Sequence, residues 1–285
     1  MTKYIEIHGY RICYREVGVG RPIIFLHGNP TSSYFWRKII SRLSALGRCI
    51  AFDLIGMGDS DKLPDQGPRT YSYFVHRRFV DDLLNSFVLN AQAVLVGHNW
   101  GATLACDWAA RNSERVRGLA HMESQFASMR TSGSDERFRR FYARLMSAEM
   151  ERRILEDNSY ITEFLFEPLS SVLTEQDRFA YLAPYVEPGA GRRPMVDWPR
   201  EIPVDGQPSD VDHRLEEIRN WLAISPIPKL FIRPSGASIM VGHRLAVAQS
   251  FANQQEVAVP GGQFAVEEAP DEISSCLEAW LATLT

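Results

Sequence analysis

The feature that most constrains this chain is the run Ala93-Val-Leu-Val96, followed at once by Gly97-His-Asn-Trp-Gly101 and then by a helical pattern from Ala102 to Arg111. The apolar, β-branched run reads as a buried strand. The glycines on either side of the central residue mark a turn so tight that flanking side chains would clash. A strand that passes through such a turn straight into a helix holds the central residue at the top of the sheet, strained and open to a pocket. Here that residue is Asn99. An amide is a very poor nucleophile, so the pedestal for a nucleophile is present and the nucleophile is not.

This arrangement resembles the nucleophile elbow of an α/β-hydrolase, and the rest of the chain fits it. Tyr4–His8 and Tyr10–Arg15 alternate around Gly9 as a hairpin. Ile23–Leu26, Arg48–Phe52, Val116–Met122, Pro228–Arg233 and Glu256–Val259 read as further strands. Helical periodicity covers Phe35–Leu43, Tyr73–Leu89 and Glu272–Leu284. Strands alternating with helices imply a mostly parallel eight-stranded sheet covered on both faces. From Gln125 to Leu215 no strand-like run occurs, and the spacing predicts helices over Phe138–Ile154, Tyr160–Phe166, Thr174–Leu182 and Val211–Leu222. The expected organisation is therefore a core of residues 1–124 and 216–285 with a helical cap of residues 125–215 inserted into it.

Composition narrows the function classes. The formal charge of −4 and the lack of any Lys/Arg-rich run argue against nucleic acid or an anionic membrane as partner. Cys13, Cys49, Cys106 and Cys276 are far apart with no CxxC spacing, which suits buried free thiols in a reducing cytoplasm. The start of the chain reads as a strand rather than a signal peptide, and no apolar run is long enough to span a membrane. There is no metal-ligand cluster and no dinucleotide loop, so no cofactor is expected. Monomer and homodimer both remain open.

Longer motifs identify a family. His27-Gly-Asn-Pro-Thr-Ser-Ser-Tyr34, Asp53-Leu-Ile-Gly-Met-Gly-Asp-Ser-Asp-Lys62, Gly97-His-Asn-Trp-Gly101, Arg193-Pro194, Trp198-Pro-Arg-Glu-Ile-Pro203, Ser225-Pro-Ile-Pro-Lys229 and Ala269-Pro-Asp-Glu272 closely resemble the haloalkane dehalogenases. The resemblance extends to the coelenterazine-using luciferase related to them. In that family an elbow Asp attacks the carbon bearing halogen, and a His after the last strand activates water to hydrolyse the ester. A carboxylate orients the His, and an indole and an amide N–H hold the halide. The resemblance implies that Trp100 and Asn29 are the halide donors and that Glu123 is the orienting carboxylate. It also implies that the backbone N–H groups of residues 29 and 100 form the oxyanion hole, and that Phe141, Trp198 and Pro199 line the pocket. At the nucleophile and base positions stand Asn99 and Gln263, neither of which can do that work.

The retained groups bind, and the missing ones made and broke an ester. One reading is an enzyme without a covalent intermediate, in which a small apolar, halogenated or carbonyl-bearing substrate supplies its own nucleophile. Intramolecular displacement, cyclisation, elimination and rearrangement are of this kind. Glu123, Asn99 and Gln263 are then the catalytic candidates, with Glu123 as proton acceptor. A non-catalytic ligand binder, a disabled dehalogenase and cofactor-free oxygen chemistry are the other readings. The segment Arg233–Met240 also departs from the family pattern, which favours natural divergence over a disabled enzyme.

Overall fold

The computed structural model describes residues 2–64, 67–88, 91–131 and 136–284. Its centre is one sheet built from β1 (Thr2–Ile7), β2 (Tyr10–Val17), β3 (Pro22–Leu26), β4 (Arg48–Phe52), β5 (Ala93–His98), β6 (Val116–Met122), β7 (Lys229–Pro234) and β8 (Gln254–Val259). The spatial order is β1-β2-β4-β3-β5-β6-β7-β8. β2 pairs antiparallel with both β1 and β4, and every pairing from β4 to β8 is parallel. The β1–β2 turn is His8-Gly9, both at positive φ (54° and 81°), the backbone a tight hairpin requires.

The central strands are apolar throughout because both faces are covered. Alternate residues go to opposite layers. Ile24, Leu26, Ile50 and Leu95 join one core with Leu83 and Leu84 of α2 (after α1, Arg37–Leu43, comes α2, Tyr73–Phe87). Ile23, Phe25, Cys49, Val94 and Val96 join the other with Ile39 and Leu43 of α1. The elbow helix α3 (Trp100–Arg111) lies in the first layer.

Between β6 and β7 run α4 (Glu136–Leu145), α5 (Ala148–Asp157), a wide helical turn over Tyr160–Phe166, α6 (Glu175–Leu182), α7 (Arg193–Arg200) and α8 (Ser209–Ile224). Polar ties hold this layer over the sheet: Arg37 donates to Asp177 at 2.7 Å, Tyr34 to Asp177 at 2.8 Å, and Arg69 to Glu201 at 2.7 Å. The chain closes with α9 (Gly242–Gln249), β8, the single turn α10 (Ala265–Glu268) and α11 (Pro270–Leu281).

Three expectations change. The helix expected over Phe138–Ile154 is two, because Ser147 caps a new start by accepting from the Met150 N–H at 3.1 Å. The segment expected at Val211–Leu222 in the cap buries Val211, Leu215, Ile218 and Leu222 in the same core layer as α3, so a boundary between 215 and 216 falls inside a core helix. Helix α9 has no counterpart in the periodicity of the sequence; its apolar positions are few and only Ala248 is buried. The expected end of α2 at Leu89 lies outside the described residues.

Candidate active site

β3, β5 and β6 are neighbours, so their C-terminal ends bring together Asn29, Asn99 and Glu123. Ligands of open α/β sheets bind at such strand ends. Asn99 stands at φ 54° and ψ −128°, and Glu123 at φ 51°, conformations that non-glycine residues rarely adopt. The surroundings enforce the first. A Cβ at Gly28 would stand 2.8 Å from Asn99 Oδ1, one at Gly97 would collide with the Ala102 backbone, and one at Gly101 with the carbonyls of Leu26 and His27. The Asn99 N–H donates to the Met122 carbonyl at 3.0 Å, which fixes the turn against β6.

Above these strand ends lies a cavity of about 110 Å³. Asn29, Asn99, Trp100, Phe141, Pro199 and Gln263 line it. Glu123 and Trp198 do not. Trp198 is fully buried behind Trp100, with ring centroids 5.0 Å apart, and stacks on His76 at 4.2 Å. Its pocket-lining role, expected from the resemblance, is thereby corrected: it packs against the lining residue rather than the ligand space.

The indole of Trp100 also differs from expectation. Its Nε1–H donates to the Trp198 carbonyl at 3.2 Å, so the ring walls the cavity while the N–H is engaged within the protein. The amide of Asn29 is buried. Tyr160 of the cap interacts with it, yet neither amide atom makes a fully formed hydrogen bond among the described residues. Burial raises the Tyr160 phenol well above its ordinary range, so it stays neutral.

Glu123 is buried and both its oxygens are occupied. Oε1 accepts from the Ser238 hydroxyl and Oε2 from the Ile239 N–H at 2.8 Å. Burial raises its pKa, opposed by those two bonds and by the charge of Arg244. A carboxylate held in this way, outside the cavity lining, is poorly placed to take a proton from a ligand. The expectation of Glu123 as proton acceptor is corrected on those grounds.

No histidine takes over the base role. Burial lowers His98 to about 4, and its Nε2–H donates to the Gln263 backbone carbonyl at 2.7 Å. His121, also lowered to about 4 by burial, lies between Ser124 and Gln254. His27 accepts from the Leu54 N–H at 2.9 Å and is kept neutral by burial. None of the three lines the cavity.

One cavity residue was invisible in the sequence pattern. Arg244, on α9, is the only Lys, Arg, His, Asp or Glu among the described lining residues. Its Nε and Nη2 are buried with no hydrogen bond among the described residues. Burial lowers it to about 10 while Glu123 opposes the drop, so it is a cation at neutral pH. The remaining polar lining is Gln125, Tyr142, Tyr160 and the amides. Such a set can bind and orient a polar group; it holds no nucleophile and no base that titrates near neutrality. The only described cluster with metal-ligand types, Cys13, Asp53 and Asp59, lies elsewhere, and Asp53 there accepts from the N–H groups of Ser33 at 2.6 Å and Asp59 at 2.8 Å.

Comparison with known proteins follows the same lines. A family profile described as alpha/beta hydrolase fold matches residues 21–208. A haloalkane dehalogenase of Sphingobium indicum is 41% identical over 282 residues, covering 99% of this chain and 95% of that protein. One from Mycolicibacterium smegmatis is 38% identical, covering 98% and 90%. The crystal structure of the haloalkane dehalogenase DatA from Agrobacterium tumefaciens C58 superposes with a TM-score of 0.91 at 32% identity, covering 100% of this chain and 97% of that one. Among the described residues, no helix is long and apolar enough to cross a membrane.

Proposed function

The chain belongs to the haloalkane dehalogenase family of the α/β-hydrolase fold, and from that membership we propose a small-molecule site in which the family's ester-forming hydrolytic route is closed. The observation that carries this reading is Asn99 in the strained elbow conformation, φ 54° and ψ −128°, with the pedestal intact and no nucleophile on it. Its amide lone pair is delocalised, and Gln263 cannot accept a proton from water. What remains is binding and orientation by Asn29, Asn99 and Arg244 in a small cavity. That supports reactions in which the ligand carries its own nucleophile: intramolecular displacement, ring closure, elimination or rearrangement. Proximity is the main catalytic term in such reactions, with donors meeting developing negative charge.

The test is halide release from a panel of short haloalkanes, comparing the unaltered protein with Asn99→Asp/Gln263→His and with a working dehalogenase assayed alongside. The unaltered chain is expected to release none. Release at the working enzyme's rate would overturn the reading. The double variant is expected to stay at least ~100-fold below the working enzyme, because the imidazole introduced by Gln263→His must still recruit Glu123 from Ser238 and Ile239.

A further inference from the structure

We propose that the cavity binds a short organic acid, with Arg244 as the anchor for its carboxylate and Asn29 as a second donor. This deepens the preceding reading and rests on it only for the absence of a covalent step.

Three observations meet at Arg244. Its two unpartnered nitrogens are Nε and Nη2, the pair that points to the same side of a guanidinium. Two parallel N–H groups match the two oxygens of a carboxylate. Arg244 is half-buried as a residue, but these two N–H groups are buried and unbonded among the described residues, which is costly, so a ligand that supplies the partner gains what the protein leaves unmade. Glu123 counters the charge electrostatically, but neither of those two nitrogens has a bonded partner among the described residues. The carboxylate's own oxygens face Ser238 and Ile239.

The rest of the lining agrees. No described lining residue is acidic. An Asp at position 99 would set a like charge in the same small space as the ligand; Asn99 removes it, and Gln263 leaves the second position neutral. The exchanges that close hydrolysis therefore also make the cavity compatible with an anion. The Asn29 amide, buried and without a fully formed hydrogen bond, can donate to the same carboxylate. The walls beyond are apolar: Leu145, Phe164, Ile202 and Phe264. An apolar cavity of roughly 150 Å³ holds benzene, so 110 Å³ suits a smaller molecule, an acid with a short alkyl chain.

The experiment compares propionate with propionamide, which have the same shape and differ in charge. Each is titrated into the protein at pH 7 and constant ionic strength, with binding followed by calorimetry and by chemical shift. Propionate is expected to saturate and to bind at least ~tenfold more tightly than the amide. Arg244→Met should abolish that preference and Arg244→Lys should keep part of it. Equal binding of acid and amide, or a preference that survives Arg244→Met, overturns the proposal. So does sodium chloride displacing propionate at equal concentration, since the site would then read charge alone. Glu123→Gln provides an arm that leaves Arg244 in place: removing the competing negative charge should tighten propionate several-fold, and unchanged or weaker affinity counts against the proposal. The two readings fail separately. Halide release by the unaltered chain would sink the closed hydrolytic route without touching carboxylate binding, whereas loss of the acid preference would sink only the assignment of Arg244.

Discussion

On the β3–β5 side of the cavity, side chains are aimed by backbone; on the β7–β8 side, they are aimed by other side chains. At the elbow, Gly28, Gly97 and Gly101 stand where a Cβ would meet Asn99, Ala102 or the carbonyls of Leu26 and His27, and the chain has one way through. The residue at the apex points into the cavity whatever its chemistry. On the far side the Gly236 N–H donates to the Gly261 carbonyl at 2.8 Å, and beyond that link the order comes from groups such as Ser238, whose hydroxyl holds Glu123 and accepts from the Met240 N–H at 2.9 Å. The first construction preserves a shape while its chemistry changes. The second changes chemistry through single side-chain exchanges.

The contrast breaks most sharply at Gly101. Gly101→Ala sets a Cβ against two backbone carbonyls that cannot rotate away. A loss of at least ~3 kcal/mol, or failure to fold, is expected in chemical denaturation; a loss under about 1 kcal/mol would mean the elbow is not locked by backbone.

Ser238→Ala probes the other side. Removing that donor from buried Glu123 should cost about 1–3 kcal/mol near neutral pH. The sign with pH is fixed. The folded-state pKa of Glu123 is already raised, so the native state holds its proton longer and stability falls as pH rises through that window. Loss of Ser238 raises the pKa further, so the variant should be more destabilised at pH 7 than at pH 4 in parallel urea titrations. An equal loss at both pH values would show that the hydroxyl does not act on the carboxylate.

The smallest expected effect is at the seam between the two regions. Trp100→Phe removes the N–H that meets the Trp198 carbonyl and should cost about 1 kcal/mol, leaving the preference for propionate over propionamide in place although the ring walls the cavity. If that preference is lost while stability holds, the indole N–H serves the ligand.

The contrast also explains what the sequence disclosed. Strands β3 to β7 stand where apolar runs set them, because burial on both faces leaves a continuous signature. The elbow was legible because tight turns need glycine. Arg244 was not, since α9 buries little apolar surface and an arginine in a weakly patterned segment reads as solvated. The engagement of Trp100 with Trp198 was hidden for another reason: a donor's partner depends on a carbonyl 98 residues away. The split of the helix expected over Phe138–Ile154 was written in Ser147, a capping residue inside an otherwise continuous pattern.

The bond from His98 to the loop after β8 ends on the main-chain carbonyl of residue 263, not on its side chain. That anchor is indifferent to which amino acid occupies the position. An exchange of the side chain there can switch the chemistry offered to a ligand while this anchor of the loop stays in place.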